Sequence, residues 1–123
     1  MNNNLPTFGN GKICYIELPA IDVNRSAAFY KEVFGWHTRQ RGDGSIGFDD
    51  TVGEVSGTWI VGCKPHTEQG LLIHMVDNME NTIELIIKNG GKIVKPVGMD
   101  FPEITARFSD PAENIFGLYQ QPS

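Results

Sequence analysis

Two charged side chains lie where charge is unusual. Glu17 falls within the run ICYIELPAI (residues 13–21), and Arg107 within ITARFS (residues 104–109). Both runs are rich in the β-branched and aromatic residues that favour strands. Burial disfavours the charged form of a carboxylate unless a cation pairs with it. A fold that brings these two together allows two readings. Glu17 acts as a general base while Arg107 holds an anionic or carbonyl substrate, or the pair is a structural ion pair bracing a sheet.

The other reactive residues form no recognisable pattern. His37, His66 and His74 share no H-x-E or H-E-x-x-H spacing. His37 reads as a partly exposed strand residue, His66 as a solvated linker residue and His74 as a hydrogen-bonded core histidine. Cys14 and Cys63 lie in apolar stretches with no C-x-x-C partner, so reduced, buried thiols are expected. There is no G-x-S-x-G elbow. RGDGSIG (residues 41–47) holds three glycines but leads into no helix, which makes it a hairpin turn and not a phosphate cradle.

The 123 residues suffice for one domain, and a 40% hydrophobic content is that of a soluble globular chain. No apolar run approaches membrane-spanning length and no leader pattern opens the chain, so a cytoplasmic protein is expected. Ten Lys and Arg are scattered and the net charge is -5, which argues against nucleic acid as a partner.

The elements that must position these residues occur twice. Strand-like residues 13–21 precede DVNRSAAFYKEVFG, where Asp22 can cap a helix, Val23, Ala27, Tyr30 and Phe34 recur at helical spacing, and Gly35 ends it. LLIHMV (71–76) precedes DNMENTIELIIKNGG, with Asn78 as cap, Met79, Ile83, Ile86 and Ile87 as the apolar stripe, and Gly90 and Gly91 as the stop. A shift of 56 positions lays Tyr15 on Leu71, Asp22 on Asn78 and Gly35 on Gly91. Each helix is followed by three short strand-like runs separated by turn residues. The predicted fold is α+β: two βαβββ modules forming a curved mixed sheet around a cleft, with the helices on its convex side. Residues 1–11 read as a loose N-terminus, 12–63 as the first module, 64–70 as a linker and 71–121 as the second module.

ELPAIDVNRSAAFYKEVFGW, NGGKIVKPV and FSDPAENIFGLYQ resemble, in order, the two halves of the vicinal oxygen chelate superfamily, which contains glyoxalase I, bleomycin-resistance proteins and extradiol dioxygenases. The likeness covers nearly all of residues 12–121 and is greatest to small, stand-alone glyoxalase-related proteins. It implies the paired βαβββ fold, usually as a homodimer; whether the halves of one cleft come from one chain or from two is left open. Glu113 departs from the family's D-P-x-G-N turn, standing where the glycine is usual.

Metal-using members converge four His, Gln or Glu ligands on the concave sheet. By position, the first falls on Tyr15, the third on Leu71 and the fourth on Gly117; the second falls on Gly57, Trp59 or Val61. These residues do not make a divalent-metal site, so neither a metal nor another cofactor is expected, and neither glyoxalase I nor ring-cleaving dioxygenase chemistry by the usual route.

Strand alternation then lines the cleft with Tyr15, Glu17, Trp59, Ile73, Met75, Thr105, Arg107, Ile115 and Tyr119, and puts Phe108, Phe116 and Leu118 in the core. For Trp59, Met75 and Tyr119, packing at a dimer interface is the competing reading. The function expected is binding of a small, largely apolar organic molecule, with a lyase or isomerase step using Glu17 as one possibility. Sequestration of a ligand or antibiotic without catalysis, as in bleomycin-resistance proteins, is the alternative, and a sensor or accessory role is a third.

Overall fold

The structure, a computed structural model, describes residues 5–68 and 71–122. Strand β1 (Tyr15–Ala20) leads into helix α1 (Val23–Phe34), then β2 (His37–Gln40), β3 (Ile46–Asp49) and β4 (Ser56–Val61). The second half repeats this order with β5 (Ile73–Val76), α2 (Met79–Lys88), β6 (Lys92–Lys95), β7 (Ile104–Ser109) and β8 (Ile115–Gln120). The strands form two four-stranded mixed sheets, ordered β1-β4-β3-β2 and β5-β8-β7-β6. In each, the first strand runs parallel to the last and the remaining pairs are antiparallel. This is the expected pair of βαβββ modules.

The repeat is visible in its caps. Asp22 and Asn78, 56 positions apart, are both N-caps in extended conformation (φ -131° and -143°), and their side chains accept from Arg25 N–H and Asn81 N–H. An N-cap acceptor satisfies a first-turn donor that the helix itself leaves unpaired. Gly35 closes α1 in the left-handed region at φ 75°, which glycine enters without steric cost.

Both sheets press one face onto the helices, and the buried side chains join into one core. Phe29, Tyr30, Trp36, Phe48, Phe108, Phe116 and Leu118 are each at most 6% exposed. Tyr30 of α1 stacks on Trp36 at 4.6 Å and lies 6.1 Å from Trp59 and 6.0 Å from His74, so one ring touches both modules. Below this core, the turn before β8 ties the halves together. Asp110 accepts from Tyr30 OH (2.9 Å), Asn114 Nδ2 (2.9 Å) and the amides of Ala112 and Asn114. Asn114 Nδ2 also donates to Pro19 O of β1, and its Oδ1 accepts from His66 N–H.

Three expectations are corrected. Cys14 and Cys63 are free but exposed, because each lies just outside the end of its strand. Ile87 is 59% exposed; Thr82 completes the buried stripe of α2 with Met79 and Ile86. His66 is half-buried and not solvated, with its ring stacked on Phe116 at 5.7 Å.

Glu113 does adopt φ 71°, the left-handed conformation that its usual glycine would take freely. Asn114 carries the side-chain network while Glu113 bears the strain. Glu113→Gly is therefore expected to raise stability by up to about 1 kcal/mol, the relieved left-handed cost less the added freedom of the unfolded chain. The measurement is the thermal midpoint, and a fall on substitution would contradict the assignment of strain.

Candidate functional site

Residues paired directly across a ladder share a face, so the register defines the open side of each sheet. On the first sheet one row reads Glu17–Thr58–Gly47–Arg39, and on the second the matching row reads Ile73–Gly117–Arg107–Lys95. Glu17 and Ile73 are repeat mates, which makes Thr58 the counterpart of Gly117 and Gly47 the counterpart of Arg107.

This register moves Trp59. Its ladder partner is Leu18, and both are buried, at 5% and 2% exposure. The indole packs 4.6 Å from Phe48 on the helix side, so Trp59 is a core residue and not a cleft residue. Gly57 shares its face. The second metal-ligand position therefore falls on Thr58, whose hydroxyl donates to Ile46 O at 2.8 Å. Position along SGTWIV alone leaves its phase open, and the pairing of Leu18 with Trp59 sets it.

The two open faces differ in chemistry. On the first, Tyr15 and Glu17 are exposed, and the Arg41 guanidinium lies across the sheet. Arg41 Nη2 donates to Tyr15 OH at 2.9 Å and to Gly57 O at 3.4 Å, and its guanidinium carbon is 5.9 Å from the Tyr15 ring centroid. Gly47 makes the room, since a Cβ there would lie 2.6 Å from Arg41 Nη2. Strand alternation missed Arg41 because it sits in the β2–β3 turn, where no strand face is defined.

On the second face, a cavity of about 160 Å³ opens over Gly117. Ile73, Arg107 and Tyr119 line it together with Thr105 and Asp100. Arg107 Nη1 is buried without a hydrogen-bond partner among the described residues. Asp100 is held by Lys95 Nζ on both oxygens (3.0 and 3.1 Å) and by the Thr105 hydroxyl (2.5 Å). The Thr105 hydrogen bond, and then that of the Lys95 ammonium, hold the Asp100 carboxyl below its usual range. Ile115 is half-buried on this face outside the cavity, and Met75 is 71% exposed.

Glu17 and Arg107 do not pair. The ion pairs among the described residues are Lys12–Glu54, Arg39–Asp49 and Lys95–Asp100. The cation partner expected for Glu17 belongs to the other sheet.

A larger cavity, about 760 Å³, runs along the free edge of β5 between the modules. Phe34, Trp36 and Phe48 line it with Ile73, His74 and Met75. Neither Tyr15 nor Glu17 lines either cavity. His74 points to the core side as its strand phase predicts, stacked 4.5 Å from Phe34. Its Nε2, however, has no partner among the described residues, and burial lowers its pKa to about 4.

The residues at the four family ligand positions do not fit a metal. They are a phenol engaged by Arg41, a hydroxyl donated to a carbonyl, a leucine and a glycine. Among the described residues, no three His, Cys, Asp or Glu side chains are grouped to hold an ion. None of the described helices is long and apolar enough to cross a membrane.

Comparison with known proteins agrees with this architecture. Residues 12–41 match the family model described as bleomycin resistance protein-like N-terminal. A glyoxylase-like domain-containing protein from Didymella fabae is 34% identical over 97 residues, 72% of this chain and 75% of that one. Among solved structures, a glyoxalase/bleomycin resistance protein/dioxygenase superfamily member from Sphaerobacter thermophilus superposes with a TM-score of 0.73 at 15% identity, covering 90% of this chain and 98% of that one. TnmS3, an antibiotic binding protein from a Streptomyces species, superposes with a TM-score of 0.72 at 18% identity, covering 94% and 100%.

Proposed function

The chain belongs to the glyoxalase/bleomycin-resistance-like family, and from that premise we propose that it binds a small, largely apolar organic molecule on the open face of its second sheet, without a family-type metal centre. The observation that carries this reading is the cavity over Gly117, where a metal-using relative would present a ligand and this chain leaves a space walled by Ile73, Thr105, Arg107 and Tyr119. Apolar walls with a few converging polar groups are the usual make-up of small-molecule sites.

Sequestration without chemistry is the reading this lining favours. The carboxylate at the cavity, Asp100, is engaged by Lys95 and Thr105, so it is not free to act as a base toward a ligand there. A solved neighbour of the same fold is named as an antibiotic binding protein. A lyase or isomerase would need Glu17, which is exposed and lines neither cavity. Homodimerisation supplies the cover for the open faces. A homodimer would cover Ile73 and Met75, which are 58% and 71% exposed. A cytoplasmic setting would keep the exposed thiols of Cys14 and Cys63 reduced.

A thermal-shift screen of aldehydes, glutathione adducts, aromatics and antibiotics tests the reading, because a bound ligand stabilises by about 2.7 kcal/mol at a hundred times its Kd. A hit should stabilise wild type and Glu17→Gln equally, and should be lost in Gly117→Leu, which fills the cavity. Turnover of the hit that disappears in Glu17→Gln would replace sequestration by catalysis. A stoichiometric divalent ion in protein purified without chelator would sink the metal-free reading.

A further inference from the structure

A guanidinium lies at corresponding places on the two open faces, that of Arg41 over Gly47 and that of Arg107 beside Gly117, but they are not equally satisfied. In the first sheet Arg41 fills the space over Gly47, the counterpart of Arg107. It is quieted by the Tyr15 hydroxyl at 2.9 Å and by a backbone carbonyl. In the second sheet Arg107 lies beside Gly117, and the repeat mate of Tyr15 is Leu71, which offers no acceptor. The Arg107 guanidinium accordingly feels the Asp100 carboxylate only through space, and its Nη1 is buried without a hydrogen-bond partner among the described residues, beside an open cavity. A buried donor without a partner is costly, and a charged one more so.

The local charge points the same way. Among the described residues, Asp100 is the only acid lining that cavity, and Lys95 neutralises it with both carboxylate oxygens engaged. Asp100, Lys95 and Arg107 together leave one positive charge, against a chain whose net charge is -5. The cavity, about 160 Å³, takes a charged headgroup and a few attached atoms, while Ile73 and Tyr119 meet the apolar remainder of the ligand.

We propose that Arg107 is an oxyanion subsite and that the ligand is an organic carboxylate with an apolar body, its oxygens standing where the Tyr15 hydroxyl stands in the first module. This rests on the ligand-binding reading above and narrows it to anions, whereas the chain's overall acidity by itself would favour cations.

The test is an amide-resolved NMR titration of the full chain with benzoate, phenylacetate and 3-phenylpropionate, each against its uncharged amide. The acids should shift the Arg107 and Gly117 resonances with at least about tenfold tighter binding than the amides, the scale of one charge-assisted hydrogen bond. Arg107→Met should erase that preference. Gly117→Ala, whose added carbon would lie 3.1 Å from Ile73 Cγ1, should weaken acids and amides together and guards against a misfolded Arg107 variant. Amides that bind as tightly as acids, or acids that bind Arg107→Met undiminished, overturn the anion subsite but leave the ligand-binding reading standing. No perturbation at Gly117 by either series overturns both.

Discussion

Asn114→Ala is expected to destabilise the fold by about 4 kcal/mol, a large share of the roughly 5–15 kcal/mol that a domain possesses. The substitution leaves the His66 N–H and the Pro19 carbonyl without their partner and removes one of the bonds to Asp110. The His66 and Pro19 bonds are part-buried and the Asp110 bond is buried, and a polar group orphaned away from water costs about 1–3 kcal/mol. The three partners lie on β1, on the segment between the modules and on the turn before β8, so the loss falls on the joint between the halves. Asn114→Asp should be worse than alanine. It keeps an acceptor for His66 but sets a second carboxylate against buried Asp110, whose own pKa is raised chiefly by burial. Denaturant unfolding measures both variants. A loss below about 1 kcal/mol for Asn114→Ala would show that the network does not hold the modules together.

Stability should fall by about 3 kcal/mol as the pH is lowered from 6.5 to 4, because of His74. Its pKa drops from the ordinary 6.5 to about 4 in the fold, since burial among Phe34, Tyr30, Trp36 and Phe108 disfavours the imidazolium. Above pH 6.5 the ring is neutral in both states and contributes no pH dependence. Between 6.5 and 4 the unfolded chain takes up a proton that the folded chain refuses, so unfolding is favoured by about 1.4 kcal/mol per pH unit. Below 4 both states are protonated and the slope vanishes. Asp110 works with the opposite sign at the acid end, since a raised carboxyl pKa favours the folded state when protons are plentiful. Comparison with His74→Leu separates the two, because that variant should lose the slope and keep the Asp110 contribution. A wild-type stability that is level from pH 7 to 4.5 would contradict the burial of a neutral His74.

Much of the fold was legible because it rests on local chemistry stated twice. Asp22 and Asn78 cap helices whether or not anything packs on them, Gly35 terminates α1 by entering a conformation that other residues avoid, and the 56-residue echo follows from those fixed points. Phe108, Phe116 and Leu118 were placed in the core by alternation alone, since each lies on a strand with apolar residues at alternate positions. Trp59 defeated the same rule. The run SGTWIV is apolar or small on both faces, so its phase is undefined until Leu18 pairs with it. Arg41 was invisible for a related reason, because a turn residue has no face until the sheet beneath it exists.

The sequence by itself determined two βαβββ modules, the order of their elements, and the absence of donor side chains at Tyr15's mate Leu71 and at Gly117. Those are properties of residue identity and short-range spacing. Only the tertiary structure decided which residues meet. It put Glu17 and Arg107 on different sheets, gave Arg41 a phenol to bind while leaving Arg107 Nη1 without a hydrogen-bond partner among the described residues, and drew Asn114 into contact with β1 across 95 positions of chain. Such pairings depend on ladder register and on the packing of one module against the other, and no local preference encodes either.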